Sequence, residues 1–307
     1  MSNSIACIGG LVWDETMRPL GSMIQGTSNP VTSSGSCGGV AHNVAVGLAG
    51  LGVEVSLFSI VGRDRPGDEI VDRLHATSID GSGVTRSDHG STARYIAVLD
   101  PHGKLVYGLA DMQIFSEMGE DWCDACEETL AGHSIWVVDS NLPATALRRL
   151  LLDNRGRAVI LLDPVSVAKS ARLTGLLGGV DVLFPDRQEV AALSGLPAAS
   201  IDQAGLAAMH LLELGAKRVV VSLGEEGVCV VGERGAEHRP AIEVEAVGDV
   251  TGAGDALLAG YVYGLLEQSE TDPIDYGLAA ASLIVESSGA SDGTLTPERL
   301  TERLRRG

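Results

Sequence analysis

The sequence contains no long apolar run. Nowhere do ~18 apolar residues follow one another, so no membrane-spanning helix is predicted. Met1 to Gly10 lack a basic segment followed by an apolar stretch, so they do not read as a secretory leader. Positive charge is scarce as well. Lys and Arg number 22 against 41 Asp and Glu, and a formal net charge of -19 repels a phosphate backbone, so nucleic acid is not an expected partner. The 5 cysteines (Cys7, Cys37, Cys123, Cys126, Cys229) are odd in number and scattered, which excludes a disulfide framework and predicts reduced thiols. Cys123 and Cys126 form a C-x-x-C with no second pair, in a helix-like stretch, and read as two thiols on one helical face. No Pro/Gly-rich linker divides the chain, and no repeat of 20 to 50 residues is present. These absences leave a soluble, cytoplasmic protein. Its 307 residues, 45% apolar and 21% charged, suffice for one large α/β domain.

The chain opens with a strand-like run, Ile5 to Ile8, ending in Gly9-Gly10. The next thirty or so residues are rich in Gly, Ser, Thr, Asn and Pro and read as a loop-rich excursion outside the core. From Gly38-Gly39 a helical period begins, with Val40, Val44, Leu48 and Leu51 on one stripe and Gly52 placed to end it. Val55 to Ile60 reads as a strand, Gly67 to Thr77 as a helix, and Ala93 to Leu99 with Leu105 to Ala110 as a hairpin around Asp100-Pro101-His102-Gly103. Ser116 to Ala131 is helix-like. Short apolar strands then alternate with helical stretches: Ile135 to Asp139, Ala158 to Asp163 and Val180 to Phe184. Such alternation implies βαβ units and a parallel sheet covered on both faces. Strands Arg218 to Ser222 and Gly227 to Val231 lead to three helices starting near Gly252, Pro273 and Pro297. The expected architecture is a doubly wound α/β domain over residues 1–307 with a small β appendage from about 11–37 and 91–113. A site in such a sheet belongs at the carboxyl ends of the strands.

The most informative stretch runs from Val247 to Gly260. Gly252 and Gly254 remove side chains where backbone must approach a ligand, and the apolar period that follows makes them the first turn of a helix, whose unpaired N–H groups face an anion. Asp255 in that turn is placed to take a proton from a hydroxyl attacking a bound phosphoryl group. The plain alternative is a Gly-rich helix start with an Asp that complements the helix dipole.

Two motifs together favour the first reading. Gly38-Gly39-Val40-Ala41-His42-Asn43 enters a helix, with Gly62-Arg63-Asp64 and Gly67 downstream, and Thr251-Gly252-Ala253-Gly254-Asp255 follows about 210 residues later. In order and at this separation they resemble the ribokinase-like, or PfkB, carbohydrate kinases over essentially the whole chain. The resemblance implies ATP-dependent transfer of a γ-phosphoryl group to a primary hydroxyl of a sugar or nucleoside, under a β-sheet lid that often forms a dimer contact. By position, Asp255 matches the catalytic base, and the amides of Gly252, Ala253 and Gly254 match the anion hole. Asp14, Gly39 and Asn43 match the positions that grip ribose hydroxyls. Ser222, Gly224 and Gly227 match the loop lining the nucleotide, and Thr251 opens the signature run beside it. Glu189 matches the residue that orders magnesium and its waters, while Asp186 stands where the family usually has Asn and adds a carboxylate near the phosphates. Asp249 and the stretch Ser287 to Gly289 match segments that hold a monovalent cation, such as K+, through carbonyl oxygens.

Val40 stands where ribose-specific members resemble one another in carrying Lys. Several short runs instead look like the pseudouridine kinases: Ser28-Asn29-Pro30, Thr92 to Tyr95, Asp111-Met112, Asp139-Ser140-Asn141, and Asp163-Pro164-Val165-Ser166 followed by Lys169. Pseudouridine presents two imide-type N–H donors and two carbonyl acceptors, and Asn29, Thr92, Asp111 and Lys169 form a set able to read them. Lys169 equally suits an approach to the phosphoryl group. The readings to be separated are a pseudouridine kinase, a related kinase for another nucleoside or for ribose, and a catalytically silent ligand-binding relative.

Overall fold

The computed structural model describes residues 4–153, 156–248, 250–267, 269–287 and 294–306. Strand β1 (Ile5–Ile8) is wholly buried because both its faces are covered: Ile5 and Cys7 enter one core cluster, Ala6 and Ile8 the other. The chain then leaves as β2 (Val12–Pro19) and β3 (Val31–Gly38), and returns as α1 (Val40–Gly50), β4 (Val55–Gly62), α2 (Arg65–His75) and β5 (Asp80–Ser87). It leaves again as β6 (Arg94–Leu99) and β7 (Leu105–Asp111). Then come α3 (Glu120–Leu130), β8 (Ile135–Asp139), α4 (Ala144–Arg148), β9 (Val159–Asp163), α5 (Val167–Ser170), β10 (Val182–Leu183), α6 (Arg187–Ser194) and α7 (Ile201–Glu213). The last part comprises β11 (Arg218–Ser222), β12 (Val228–Gly232), β13 (Gly235–Arg239), α8 (Ala253–Leu266), α9 (Pro273–Glu286) and α10 (Pro297–Arg306).

One nine-stranded sheet has the order β13-β12-β11-β10-β9-β8-β1-β4-β5. It is parallel except where β11, β12 and β13 pair antiparallel. Trp136 and Val138 of β8 pack on the α3, α4 and α7 face, while Ile135 and Val137 face α1 and α8. The fold is thus α/β with helices on both faces, as the alternating strands and helices predicted. The second sheet, four-stranded in the order β3-β2-β6-β7, is the lid-like appendage. Its two hairpins join through the parallel pairing of β2 and β6.

The loop-rich reading of the early excursion is corrected, since β2 and β3 are paired over eight residues each. After Val31-Thr32, the run Ser33-Ser34-Gly35-Ser36 lacks the bulky residues that mark a strand. Here its smallness serves packing: a Cβ on Gly35 would collide with the Trp13 ring, and one on Gly38 with the Asp14 carboxylate. β5 and β13 also went unread. β5 is an edge strand of small and polar residues, in which Gly83 lies against Phe58. Over Val180 to Phe184 only Val182–Leu183 pair as strand, and the stretch from Ser116 splits into a 3₁₀ turn over Gln113–Glu117 and α3. Cys123 and Cys126 are both buried on α3.

Candidate active site

The run Thr251 to Asp255 folds as the helix start that its glycines predicted. Gly252 caps α8 with φ +80, left-handed backbone that favours a residue without Cβ. The N–H of Ala253 turns back to the Val250 carbonyl (3.2 Å), whereas among the described residues those of Gly252 and Gly254 have no acceptor. A Cβ built on Gly254 would meet nothing within 4 Å, so the space above this turn is open.

Asp255 lies one residue further on. Its Oδ2 accepts a hydrogen bond from Asn43 Nδ2 at 2.7 Å, which joins the two signature motifs across 212 positions. Burial pushes its carboxyl up to about 6, against the lowering effect of the Asn43 bond. Asp255 borders a cleft of about 600 Å³ that Asn43 and Gly252 also line. It borders a second cavity of about 180 Å³ as well, with Asp163, Asp186, Glu189, Ser222 and Gly254. A third cavity, of about 700 Å³, continues from Ser222 and Gly254 past Gly224, Gly227 and Ala253 between mostly apolar walls. Three spaces therefore meet at the first turn of α8, with a carboxylate at the junction.

The Gly-Gly turn supports that junction from β1 and β8. Gly39 (φ +99) packs so tightly that a Cβ would strike the Gly10 carbonyl. Asp139, the last residue of β8 and fully buried, accepts from the N–H groups of Gly10 (2.7 Å), Ala41 (3.1 Å) and Asn141 (2.8 Å). Burial holds its carboxyl above the usual range although all three bonds favour the charged form. Asn141 in turn accepts from Lys169 Nζ at 2.6 Å, and burial lowers the pKa of that lysine. Asp14 on β2 sits beside Gly38, pushed up to about 6 by burial.

Asp186 and Glu189 form a reciprocal capping box at the start of α6. Asp186 Oδ1 accepts from Glu189 N (2.7 Å), and Glu189 Oε2 accepts from Asp186 N (2.9 Å). The departure from Asn thus has a local reason, because Asp and Asn cap a helix comparably. Burial pushes Glu189 up to about 7. Asp163, the last residue of β9, lies well above the ordinary carboxylate range through burial and the charges of Asp255 and Glu189. It accepts from the N–H of Val165 (2.7 Å), which holds that β-branched residue at φ +66.

Other predicted residues lie apart from these cavities or are engaged elsewhere. Asn29 closes the turn between β2 and β3, accepting from Ile24 N and donating to Ile24 O and Thr27 O. Thr92, fully buried, donates to Asp64 (2.5 Å) and accepts from Gly62 N (2.9 Å). Asp111, at the end of the exposed strand β7, accepts from Gln113 N at 3.4 Å. Neither Asn29 nor Asp111 lines any of the three cavities. Thr251 is exposed beside the turn of α8. Asp249, with most of the stretch from Ser287 to Gly289, lies outside the described residues.

Sequence reading assigned no role to Asp139, Asn141 or Asp163. The strand-end rule was the available signal, since Asp139 and Asp163 each terminate a central parallel strand next to β1 or β8.

The family model for pfkB family carbohydrate kinases matches residues 3–297. The chain belongs to this family. Among relatives, it is 29% identical over 233 residues to the pseudouridine kinase of Escherichia coli, covering 76% of this chain and 74% of that one. Among solved structures, a carbohydrate kinase from Agrobacterium tumefaciens superposes with a TM-score of 0.88 at 27% identity, covering 99% and 97% of the two chains. The Arabidopsis thaliana ribokinase complexed with ribose and ATP shares the fold, with a TM-score of 0.86 at 20% identity and full coverage of both chains. Relatives named ribokinase and guanosine-inosine kinase also match, at 26% and 27% identity. As a pfkB kinase the chain is a phosphotransferase that acts on a sugar or nucleoside hydroxyl. Among the described residues no helix is long and apolar enough to cross a membrane.

Proposed function

We propose that this kinase transfers the γ-phosphoryl group of ATP to the 5'-hydroxyl of pseudouridine. The observation that carries the phosphotransfer is the position of Asp255, bonded to Asn43 and bordering both the cleft and the cavity at the start of α8. The acceptor sugar occupies the cleft side, against Asn43 and Asp255, while Asp14 and Gly39 line none of the three cavities. The nucleotide occupies the apolar cavity past Ser222, Gly224 and Gly227, with its phosphates over Gly254. Asp255 then receives the hydroxyl proton as the new O–P bond forms and the bond from the γ-phosphorus to the β-phosphate oxygen breaks, with ADP as the leaving group, while the free amides of Gly252 and Gly254 face the charge on the transferred group.

A magnesium ion suits the acidic wall of the small cavity. Asp163, Asp186 and Glu189 offer hard oxygen donors. Among the described residues no three such side chains converge to hold an ion directly, which fits an ion bound mainly by phosphates and water with Glu189 behind the water. When bound, it would offset the charge of the donor phosphates against these carboxylates.

The choice of pseudouridine rests on the likeness of the runs around Asn29, Thr92, Asp111, Asn141 and Lys169, and on the relative from E. coli. The base N1–H, absent from uridine, calls for an acceptor in the bound complex; Asp111 and Asn29, the acceptors expected from sequence, line none of the three cavities, so the acceptor is another group. With uridine that acceptor is buried facing a C–H, a loss of ~1–3 kcal/mol, so kcat/KM favours pseudouridine by roughly ten- to a few hundredfold. An ADP-release screen over ribose, fructose 6-phosphate, adenosine, uridine and pseudouridine decides the matter. Equal kcat/KM for the two pyrimidine nucleosides, or a preference for ribose, leaves only the broader kinase reading.

A further inference from the structure

His42 is the residue the signature leaves unexplained. It is buried in the first turn of α1, next to Asn43, and its Nδ1 lies 3.2 Å from Asn43 Oδ1. Neighbouring side chains on a helix diverge, so this contact exists only because the His42 ring turns toward the amide.

The amide is held from two sides. Asn43 has one carbonyl oxygen, which accepts, and one NH2, which donates. An ionised carboxylate can only accept, so the group 2.7 Å from Asp255 Oδ2 must be the NH2. That leaves the carbonyl oxygen toward His42, whose Nδ1 must then carry a hydrogen. A His42 tautomer with a lone pair at Nδ1 would favour the flipped amide, which sets two acceptors against each other at Asp255. Among the described residues nothing hydrogen-bonds Asp255 Oδ1, which remains for the acceptor hydroxyl.

We propose that His42 is a positioning residue for the phosphotransfer, whose Nδ1–H fixes the amide of Asn43 and, through it, the carboxylate of Asp255. The assignment rests on the reading of Asp255 as the base. The role requires a donor at residue 42 and not a particular charge. Among the described residues, the other charged or titratable groups lining the same cleft besides Asp255 are Arg73 of α2 and the thiol of Cys37 at the end of β3.

The Asn43 bond favours the charged form of Asp255, so loosening it should raise the pKa of that carboxyl. His42→Phe keeps the ring and removes the donor, whereas His42→Gln keeps a donor. In His42→Phe the midpoint of the Asp255 carboxyl, followed by carbon NMR and assigned by its loss in Asp255→Asn, should move up by about half a unit or more. The kcat should fall about tenfold with KM for ATP nearly constant, and His42→Gln should recover most of it. In an Asn43→Ala background His42→Phe should cost almost nothing further, because the two act through one bond. An unmoved Asp255 midpoint, or additive effects of His42→Phe and Asn43→Ala, overturns the proposal. The NMR titration needs no turnover, so it stands apart from the kinase reading, which fails instead if Asp255→Asn keeps its activity.

Discussion

At the scale of single residues, Asp255, the proposed base, carries a conformational cost. Burial raises its folded pKa to about 6, above the ordinary carboxylate range, so folding favours the protonated carboxyl. The stability it contributes is therefore full below about pH 4 and is lost as pH rises through about 6. Asp255→Asn should remove this penalty and retain a partner for Asn43. It should raise unfolding free energy at pH 8 by up to about 3 kcal/mol, and by little at pH 4, as denaturant melts at the two pH values will show. The same variant should lower kcat by about 10²- to 10⁴-fold while nucleotide binding stays near the parent's. A loss below tenfold removes Asp255 from the role of base. The placement of Asp255 in the first turn of α8 was legible because Gly252 and Gly254 mark a helix start in the positions just before it. The carboxylates of Asp139 and Asp163 were not, since their meaning comes from the strands that end beneath the same cavities.

Among the elements, α1 and α8 were readable from their starts. Each begins at a glycine with positive φ, a backbone conformation that side-chain-bearing residues rarely adopt, and each continues as an apolar period. Strands β3 and β5 were not readable. Their Ser and Gly residues are chosen by what lies across from them, Trp13 and Phe58, which a local pattern does not contain. Helix α6 shows a departure from the family explained by its own cap. Asp186→Ala should cost about 1 kcal/mol by opening the capping box, whereas Asp186→Asn should stay within a few tenths of the parent. Thermal melts of the two variants check this, and a large loss in Asp186→Asn would mean that the carboxylate has a task beyond capping.

For the whole molecule, the doubly wound order and the small β appendage drawn from both excursions were legible, but the parallel joining of β2 to β6 that makes the appendage one sheet was not. That pairing leaves β7 at an edge with Leu105, Val106, Tyr107 and Leu109 exposed. An apolar edge strand seeks a partner, and we propose a two-fold dimer through this sheet. Light scattering at micromolar concentration should give twice the chain mass of 31.8 kDa, and a monomeric mass counts against it.

The parallel ladder between β2 and β6 also orders events in time. Trp13 pairs with Arg94, so the four-stranded sheet cannot assemble until segments some 80 residues apart have met, and their connection runs through the main sheet by way of α1, β4, α2 and β5. Its outer strands contribute little to the buried clusters once formed. The small sheet is thus the last part to fold and the first to open. In native-state hydrogen exchange its backbone amides should lose protection well before those of β1, β8 and β9, and the cleft beside Asp255 should be uncovered by fluctuations that leave the nine-stranded sheet intact.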